Sequence, residues 1–276
     1  MKDFKTIWQN AGIACRIGTT SYIIPADIIP NLLFLKDIVE DVELVLFESD
    51  EFSNLPSKTD VREMGRIAED AGLSFTVHLP LDALPGAARE KDRNQSAEKW
   101  LRVMDRMEPL LPFGWVVHLN DPPETPLNSP AGRPTTPQSS WDNWLGQCGK
   151  TIDALISRTK PENLCIETLS YDFGRVFPLV VEKDCSVCID IGHLLMTRRD
   201  VPACLDAWLD QTRIIHLHGV REDGRDHVNL SHFDRELLYR IVAAVKTRST
   251  VNRVLTLEIF SRGDLETSLS VLKETL

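Results

Sequence analysis

Short apolar runs alternate with longer segments of helical spacing along the chain. The runs are rich in β-branched and aliphatic residues and are apolar at consecutive positions, which is typical of parallel strands buried on both faces. They predict eight strands, at 16–20, 43–48, 74–79, 114–119, 163–168, 186–190, 213–219 and 253–259. The other segments predict eight helices, near 26–39, 58–71, 94–110, 141–158, 173–183, 200–209, 233–246 and 264–275.

Eight strand-helix units in 276 residues match the size of a (β/α)8 barrel. The alternative is an open doubly wound sheet, which normally carries a glycine-rich phosphate-binding turn after its first strand. That turn reads GTTSYIIP here, and the sequence contains no G-x-G-x-x-G. We therefore predict an α/β protein with a single (β/α)8 TIM barrel, forming one domain over residues 1–276. Helix N-caps are predicted at Ser57, Asp200 and Asp264.

The segment 120–140, after the fourth predicted strand, differs in composition from the rest of the chain. It contains six prolines and is too long for a passive connection. It is interpreted as a lid or substrate-binding loop over the barrel mouth, and a disordered insertion is the alternative.

Charge and hydropathy exclude several classes of partner. The formal net charge of −10 argues against a general nucleic-acid binder, which needs a basic surface. No run approaches the roughly 18 apolar residues of a membrane span. The opening MKDFKTIWQN lacks the apolar region of a signal peptide, so we expect a cytoplasmic protein without a membrane partner.

The six cysteines are too sparse for a disulfide scaffold, and we expect free thiols. Cys185 and Cys188 form a C-x-x-C, a spacing that can bind zinc or support redox chemistry. On a strand, however, a three-residue spacing directs the two thiols to opposite faces. Cys188 is therefore predicted to be a core residue.

Histidines and carboxylates recur where the predicted strands end. In barrels of this type the chemistry lies at the carboxyl ends of the strands. The residues found there are Glu48, His78, His118, Glu167, Asp190 with His193, His216 with His218, and Glu258.

Strand parity predicts which way these side chains point, because residues two apart share a face. If Glu167 points into the barrel, so does Cys165, and the same phase places all the strand-end candidates on the lumen side. The residues predicted one layer below them are Thr76, Val116, Cys165, Cys188, Ile214 and Thr256.

Imidazole and carboxylate ligands together suit Zn²⁺, Mn²⁺ or Fe²⁺. Burying these acids and imidazoles without a cation would be costly. We therefore predict a divalent metal centre at the barrel mouth.

The loop REDGRDH after the seventh strand adds Asp226 and His227 as candidate ligands. The alternative for this pair is a solvated loop. Substrate-binding residues are predicted around the mouth, where Glu48 could equally face solvent. They are Tyr22, Glu48, His218 and Arg221.

Four strand endings together resemble a known group of barrels. They are E-T (Glu167), D-I-G-H (Asp190, His193), H-L-H (His216) and L-E (Glu258). Each is short, but their order along the chain is similar to the metal-site positions of the xylose isomerase-like barrel superfamily. That superfamily includes sugar-phosphate isomerases and epimerases and metal-dependent phosphodiesterases of the endonuclease IV type.

Within the superfamily, the segments GTTSYIIPADIIPN, DVELVLFESDE, FTVHLPLD and IIHLHGV with the following RDH resemble the cobamide-remodelling phosphodiesterases, the CbiR family. This resemblance implies a corrinoid substrate. It also implies hydrolysis of the phosphodiester in the nucleotide loop, giving cobinamide phosphate and the lower-ligand nucleoside. The resemblance further implies that His78 and His118 are metal ligands of the phosphodiesterase kind, whereas the sugar isomerases use two Glu, one Asp and one His.

The leading prediction is thus a metal-dependent hydrolase of phosphodiester bonds. In it Glu167 bridges metals, and Glu167 or Glu258 orients or deprotonates the attacking water. The full predicted ligand set is His78, His118, Glu167, Asp190, His193, His216, Asp226, His227 and Glu258. One alternative is a sugar or sugar-phosphate isomerase or epimerase, in which Glu167 and Glu258 flank a single metal and move a proton. Another is a binding protein without turnover.

Overall fold

A closed barrel of parallel strands forms the centre of the computed structural model, which describes residues 1, 3–49, 51–120, 122–123, 138–248 and 251–276. Each strand pairs with its neighbours in sequence, and the last pairs with the first. The strands are β1 (Cys15–Thr20), β2 (Asp41–Val45), β3 (Ser74–His78), β4 (Gly114–Val117), β5 (Leu164–Glu167), β6 (Ser186–Asp190), β7 (Thr212–Leu217) and β8 (Arg253–Leu257). The predicted (β/α)8 TIM barrel is confirmed.

Ten α-helices lie in the described residues. They are α1 (Phe4–Asn10), α2 (Ile28–Leu35), α3 (Lys58–Ala71), α4 (Glu90–Met107), α5 (Gln138–Ile156), α6 (Phe173–Glu182), α7 (Ile191–Met196), α8 (Val201–Trp208), α9 (Arg235–Thr247) and α10 (Arg262–Thr275). The sequence pattern missed α1 and α7, because segments of seven and six residues are too short to show helical periodicity.

Two of the three predicted helix caps are confirmed. Ser57 forms a capping box with Asp60 at the start of α3, and Asp200 accepts a hydrogen bond from the backbone of Ala203. The cap predicted at Asp264 is wrong. Ser261 caps α10 instead, because its hydroxyl accepts from the Asp264 N–H one turn further on.

The barrel lumen contains a small apolar layer below the strand ends. Val116, Cys165, Cys188 and Ile214 form a buried cluster separate from the larger core between strands and helices. This arrangement confirms the strand parity predicted from the sequence. Cys185, directly before β6, belongs to the outer core and Cys188 to the lumen cluster, so the two thiols of the C-x-x-C do point to opposite sides of the barrel wall.

All six cysteines are buried free thiols. Burial raises the pKa of Cys165 to about 12, so this thiol stays protonated at neutral pH.

The proline-rich segment 120–140 lies largely outside the described residues, since positions 121 and 124–137 are not among them. Its predicted role as a lid stays a prediction. In the described part of the chain, no helix combines the length and apolar character needed to cross a membrane.

Candidate metal centre

Four side chains from four consecutive strands meet at the carboxyl end of the barrel. Glu167 and Asp190 end β5 and β6, His216 lies in β7, and Glu258 follows β8. One ligating atom from each lies within 4.8 Å of those of the other three. The His216 Nδ1 atom is central to the group, at 3.2 Å from Glu258 Oε2, 3.4 Å from Glu167 Oε1 and 3.8 Å from Asp190 Oδ2. We call these residues the four-residue group.

The four-residue group is buried and incompletely hydrogen-bonded. Among the described residues, Asp190 Oδ2, His216 Nδ1 and Glu258 Oε2 are buried polar atoms without a hydrogen-bond partner. Leaving such atoms unpaired costs about 1–3 kcal/mol each. A divalent cation would satisfy all of them at once, and three carboxylates with one imidazole suit Zn²⁺, Mn²⁺ or Fe²⁺. The residues present therefore fit a divalent metal ion.

Asp190 is held in place by the helix that it begins. Its Oδ1 atom accepts a hydrogen bond of 2.7 Å from the His193 backbone N–H and caps α7. The cap fixes the carboxylate and leaves Oδ2 free to face His216. Burial favours the neutral acid, but His218, His216 and His193 outweigh it and lower the pKa of Asp190 below its ordinary value.

Two further histidines contact the opposite side of the Glu167 carboxylate. The Nε2 atoms of His118 and His78 lie 2.6 Å and 3.4 Å from Glu167 Oε2, while Oε1 faces His216. Burial opposes ionisation of Glu167, but the charges of His118 and His216 hold its pKa well below 4.5. Burial would also lower the pKa of His78, but its contact with Glu167 raises that pKa to about 9. Glu167 therefore lies ionised between two sets of imidazoles.

A third group of histidines lies beside Asp190 and Glu258. Ligating atoms of His193, His218 and His227 come within 4.8 Å of one another. His218 Nε2 lies 3.2 Å from Asp190 Oδ1, and His227 Nε2 lies 3.3 Å from Glu258 Oε2. Their rings stack with centroids 4.2 Å apart.

The predicted ligand Asp226 contacts His227 Nδ1 at 3.0 Å. Burial would lower the pKa of His227, but Glu258 and Asp226 raise it to about 9. Asp226 is thus joined to the four-residue group through His227.

Gly192, in the D-I-G-H sequence, makes room for His218. A Cβ atom at position 192 would lie 1.9 Å from His218 Cε1. Gly192→Ala is therefore expected to displace the imidazole and to destabilise the fold by about 1–3 kcal/mol, the usual cost of overpacking. Urea unfolding measures this loss. The matched control is Gly146→Ala in α5, where a Cβ meets nothing within 4 Å, and a similar loss there would contradict the explanation.

The predicted substrate-binding residues lie in different surroundings. The Tyr22 hydroxyl contacts Asn54, and Glu48 binds Arg102 and Ser53 through hydrogen bonds of 2.6 and 2.5 Å. Arg221 lies 3.6 Å from Asp223 in the loop after β7. His218 is fully buried among the carboxylates. The described contacts bring only His218 of these residues to the four-residue group.

Sequence reasoning missed Glu43, which lies in the middle of β2. It is fully buried, and its Oε2 atom accepts a hydrogen bond of 2.9 Å from His216 Nε2. The available signal was a glutamate at an inward-facing position of an apolar run.

Asp41, two residues earlier, is also buried and accepts hydrogen bonds of 2.5 Å from Ser74 and 2.8 Å from Thr76. Burial raises the pKa of Asp41 to about 6.

Residues 37–275 match the protein family described as xylose isomerase-like TIM barrel. The chain belongs to this family. No curated protein sequence matches the chain closely enough to show a nearer relative.

Solved structures of similar fold include several epimerases. A D-tagatose 3-epimerase-like protein superposes with a TM-score of 0.72 at 15% identity, covering 94% of this chain and 96% of that one. D-psicose 3-epimerase with D-tagatose from Clostridium cellulolyticum H10 gives 0.69 at 11% identity, covering 94% and 98%. An apo 3-keto-D-glucoside 4-epimerase from E. coli gives 0.67 at 14%, also covering 94% and 98%. Identities this low show the shared fold alone.

The predicted enzyme class, a hydrolase of phosphodiester bonds, is wrong. The three neighbours above and an L-ribulose 3-epimerase are named as epimerases or epimerase-like proteins rather than as phosphodiester hydrolases. The four strand endings bring together residues that could hold a cation, and they do not specify which bond reacts. The hydrolase prediction depended on four segments, which include strands as well as loops, and on His78 and His118 as additional ligands. No comparison supports the resemblance of the four segments to the CbiR family or a corrinoid substrate.

Proposed function

We propose that this chain is a metal-dependent sugar or sugar-phosphate isomerase or epimerase. Glu167, Asp190, His216 and Glu258 hold one divalent cation, and the two glutamates move the proton. The observation that carries the proposal is the four-residue group itself, in which two glutamates converge on one point with Asp190 and His216. The sugar epimerases of similar fold support this reaction class.

The cation, when bound, acts as a Lewis acid that polarises the carbonyl of the sugar and makes the neighbouring C–H group more acidic. The protein supplies the base. One of the two glutamates takes the proton from the carbon beside the carbonyl, and the other, in its carboxylic acid form, donates a different proton to the sugar. Donation to the opposite face of the same carbon gives the epimer. Donation to the carbonyl carbon, with transfer of the adjacent hydroxyl proton to the carbonyl oxygen, gives the isomer.

The surrounding histidines orient this pair of acids. His118 donates to Glu167 Oε2 at 2.6 Å, and we assign His78 and His118 to holding this carboxylate and binding sugar hydroxyls. Asp226 and His227 hold Glu258 in the same manner, and His193 lies between Glu167 and Asp190. Tyr22, Glu48 and Arg221 are proposed contacts for distal parts of the sugar. The competing hypothesis is that the five other predicted ligands bind further cations. They are His78, His118, His193, Asp226 and His227.

Elemental analysis separates these two hypotheses. We expect one equivalent of metal per chain, both in the native protein and in the double variant His78→Ala/His118→Ala. The variant should show a KM about tenfold higher, because lost hydroxyl contacts weaken substrate binding. Two or more equivalents in the native protein, falling in the variant, would instead make His78 and His118 metal ligands.

The activity itself is tested by isotope exchange. The protein is loaded with Mn²⁺, Zn²⁺ or Fe²⁺ and incubated in D₂O with ketohexoses, aldohexoses and their phosphates. We expect deuterium at the carbon beside the carbonyl and the appearance of a second sugar by NMR. Failure of every loaded form to exchange a C–H proton would reject the proposal.

A further inference from the structure

The barrel lumen holds a buried carboxylate that the proposed reaction does not use. Glu43 lies on β2 and accepts the Nε2 hydrogen bond of His216, which lies on β7. These strands are not neighbours, because β8 and β1 lie between them in the closed barrel. The hydrogen bond therefore crosses the lumen and joins two parts of the barrel that share no backbone ladder.

This hydrogen bond determines which nitrogen of His216 can bind a cation. An imidazole ligates a metal through an unprotonated nitrogen, and the hydrogen bond made by the other nitrogen selects the tautomer. The Glu43 Oε2 atom accepts this hydrogen bond at 2.9 Å, so the hydrogen stays on Nε2. The lone pair then lies on Nδ1, the atom that faces Glu167, Asp190 and Glu258.

We propose that Glu43 is a positioning residue that fixes both the orientation and the tautomer of His216 for cation binding through Nδ1. This proposal rests on the cation site of the proposed function.

Three features keep Glu43 in place. Its side chain is fully buried, its carbonyl accepts the Ser21 N–H at 2.9 Å, and it is in register with Thr20 and Thr76 on the adjacent strands.

Asp41 provides a matched control on the same strand and the same face. Its carboxylate is as buried as that of Glu43, and its hydrogen bonds go to Ser74 and Thr76. Its described hydrogen bonds do not reach His216. If altering any lumen carboxylate weakens metal binding, substitution of either residue will show it. A change that acts through His216 will appear only when Glu43 is substituted.

The test measures metal binding in Glu43→Leu, Glu43→Gln and Asp41→Asn without any sugar present. We expect Zn²⁺ affinity, from competition with a chromogenic chelator, to fall about 10–100-fold in Glu43→Leu. Glu43→Gln should keep most of the native Zn²⁺ affinity, because the amide oxygen of glutamine can still accept the hydrogen bond from His216 Nε2. Asp41→Asn should stay within about threefold of the native affinity.

Nuclear magnetic resonance gives the second measurement. In the zinc-loaded protein labelled with ¹⁵N-histidine, the His216 Nε2–H should exchange slowly with solvent in the native chain and in Glu43→Gln. That protection should be lost in Glu43→Leu. These readouts need no turnover, so a native protein that binds zinc but converts no sugar would reject the proposed function alone.

Two results would overturn the positioning role. The first is native zinc affinity and native Nε2–H protection in Glu43→Leu. The second is an equal loss of affinity in Asp41→Asn and Glu43→Leu with matching losses of thermal stability, which would make Glu43 a structural residue. A native chain that binds no zinc would overturn this proposal and the cation site together.

Discussion

Glu258→Gln is expected to lower kcat for sugar conversion by about 10²–10⁴-fold, the usual contribution of a positioned acid or base. Glutamine has nearly the same shape as glutamate but cannot take up a proton. Glu258 follows β8 and contacts His216 and His227. These contacts hold the side chain in place, so the substitution changes mainly the proton chemistry.

Deuterium exchange separates the roles of the two glutamates. Each faces one side of the reacting carbon in the proposed mechanism, so Glu258→Gln should still exchange the C–H proton of one epimer but not of the other. Glu167→Gln should show the opposite preference. Equal exchange of both epimers in both variants would contradict the two-base mechanism.

Metal content must be measured in the same samples, because Glu258 is also a proposed ligand. A variant that keeps its cation but loses turnover isolates the proton-transfer role. Glu266→Gln serves as the control, because this exposed residue of α10 pairs only with Arg262 in the described structure. It should keep native kcat and native metal content.

Removal of the cation by a chelator is expected to abolish turnover and to lower the thermal stability of the protein. Without a cation, three buried carboxylates and one imidazole face one another with unpaired polar atoms. A ligand at 100 times its Kd stabilises the native state by about 2.7 kcal/mol. At about 2–4 °C per kcal/mol for large domains, saturation with the metal should raise Tm by roughly 5–10 °C.

Calorimetry with and without added Zn²⁺ or Mn²⁺ measures this shift. Asp190→Asn is the informative variant, because it keeps a side chain that can cap α7 but removes one charge from the four-residue group. It should lose most of the metal-dependent change in Tm. A native Tm that does not respond to either metal would contradict the cation site.

The sequence predicted the barrel and the four-residue group for the same physical reason. Parallel strands bring their carboxyl ends to one edge, so strand-end residues at the inward-facing phase must lie near one another. Glu167, Asp190, His216 and Glu258 followed from this rule, and so did the lumen layer that contains Cys165 and Cys188.

The strand-end rule did not predict a role for Glu43, because this residue lies in the middle of β2. Its partner His216 is 173 residues away and across the lumen, so the pairing depends on how the barrel closes. No local sequence pattern indicates a contact between residues so far apart in the chain. The two missed helices have a similar cause. Packing of Phe4 and Trp8 stabilises α1, and the Asp190 cap stabilises α7, and neither shows as helical periodicity in the sequence.

The reaction class could not be derived from the strand endings. They bring together candidate ligands for a divalent cation, and a cation of this kind serves proton transfer and hydrolysis equally well. The resemblance of four segments to a phosphodiesterase family selected hydrolysis, and the epimerases among the structural neighbours corrected that choice.

By itself, then, the sequence determined the eight-stranded barrel, the inward phase of its strands and the carboxylates and imidazoles at its mouth. These properties depend on local periodicity and on the common direction of the strands. Only the tertiary structure decided which side chains meet across the lumen, which ring nitrogen of His216 faces the carboxylates, and which polar atoms are left unpaired. Those contacts depend on barrel closure, which brings together residues whose separation along the chain carries no signal.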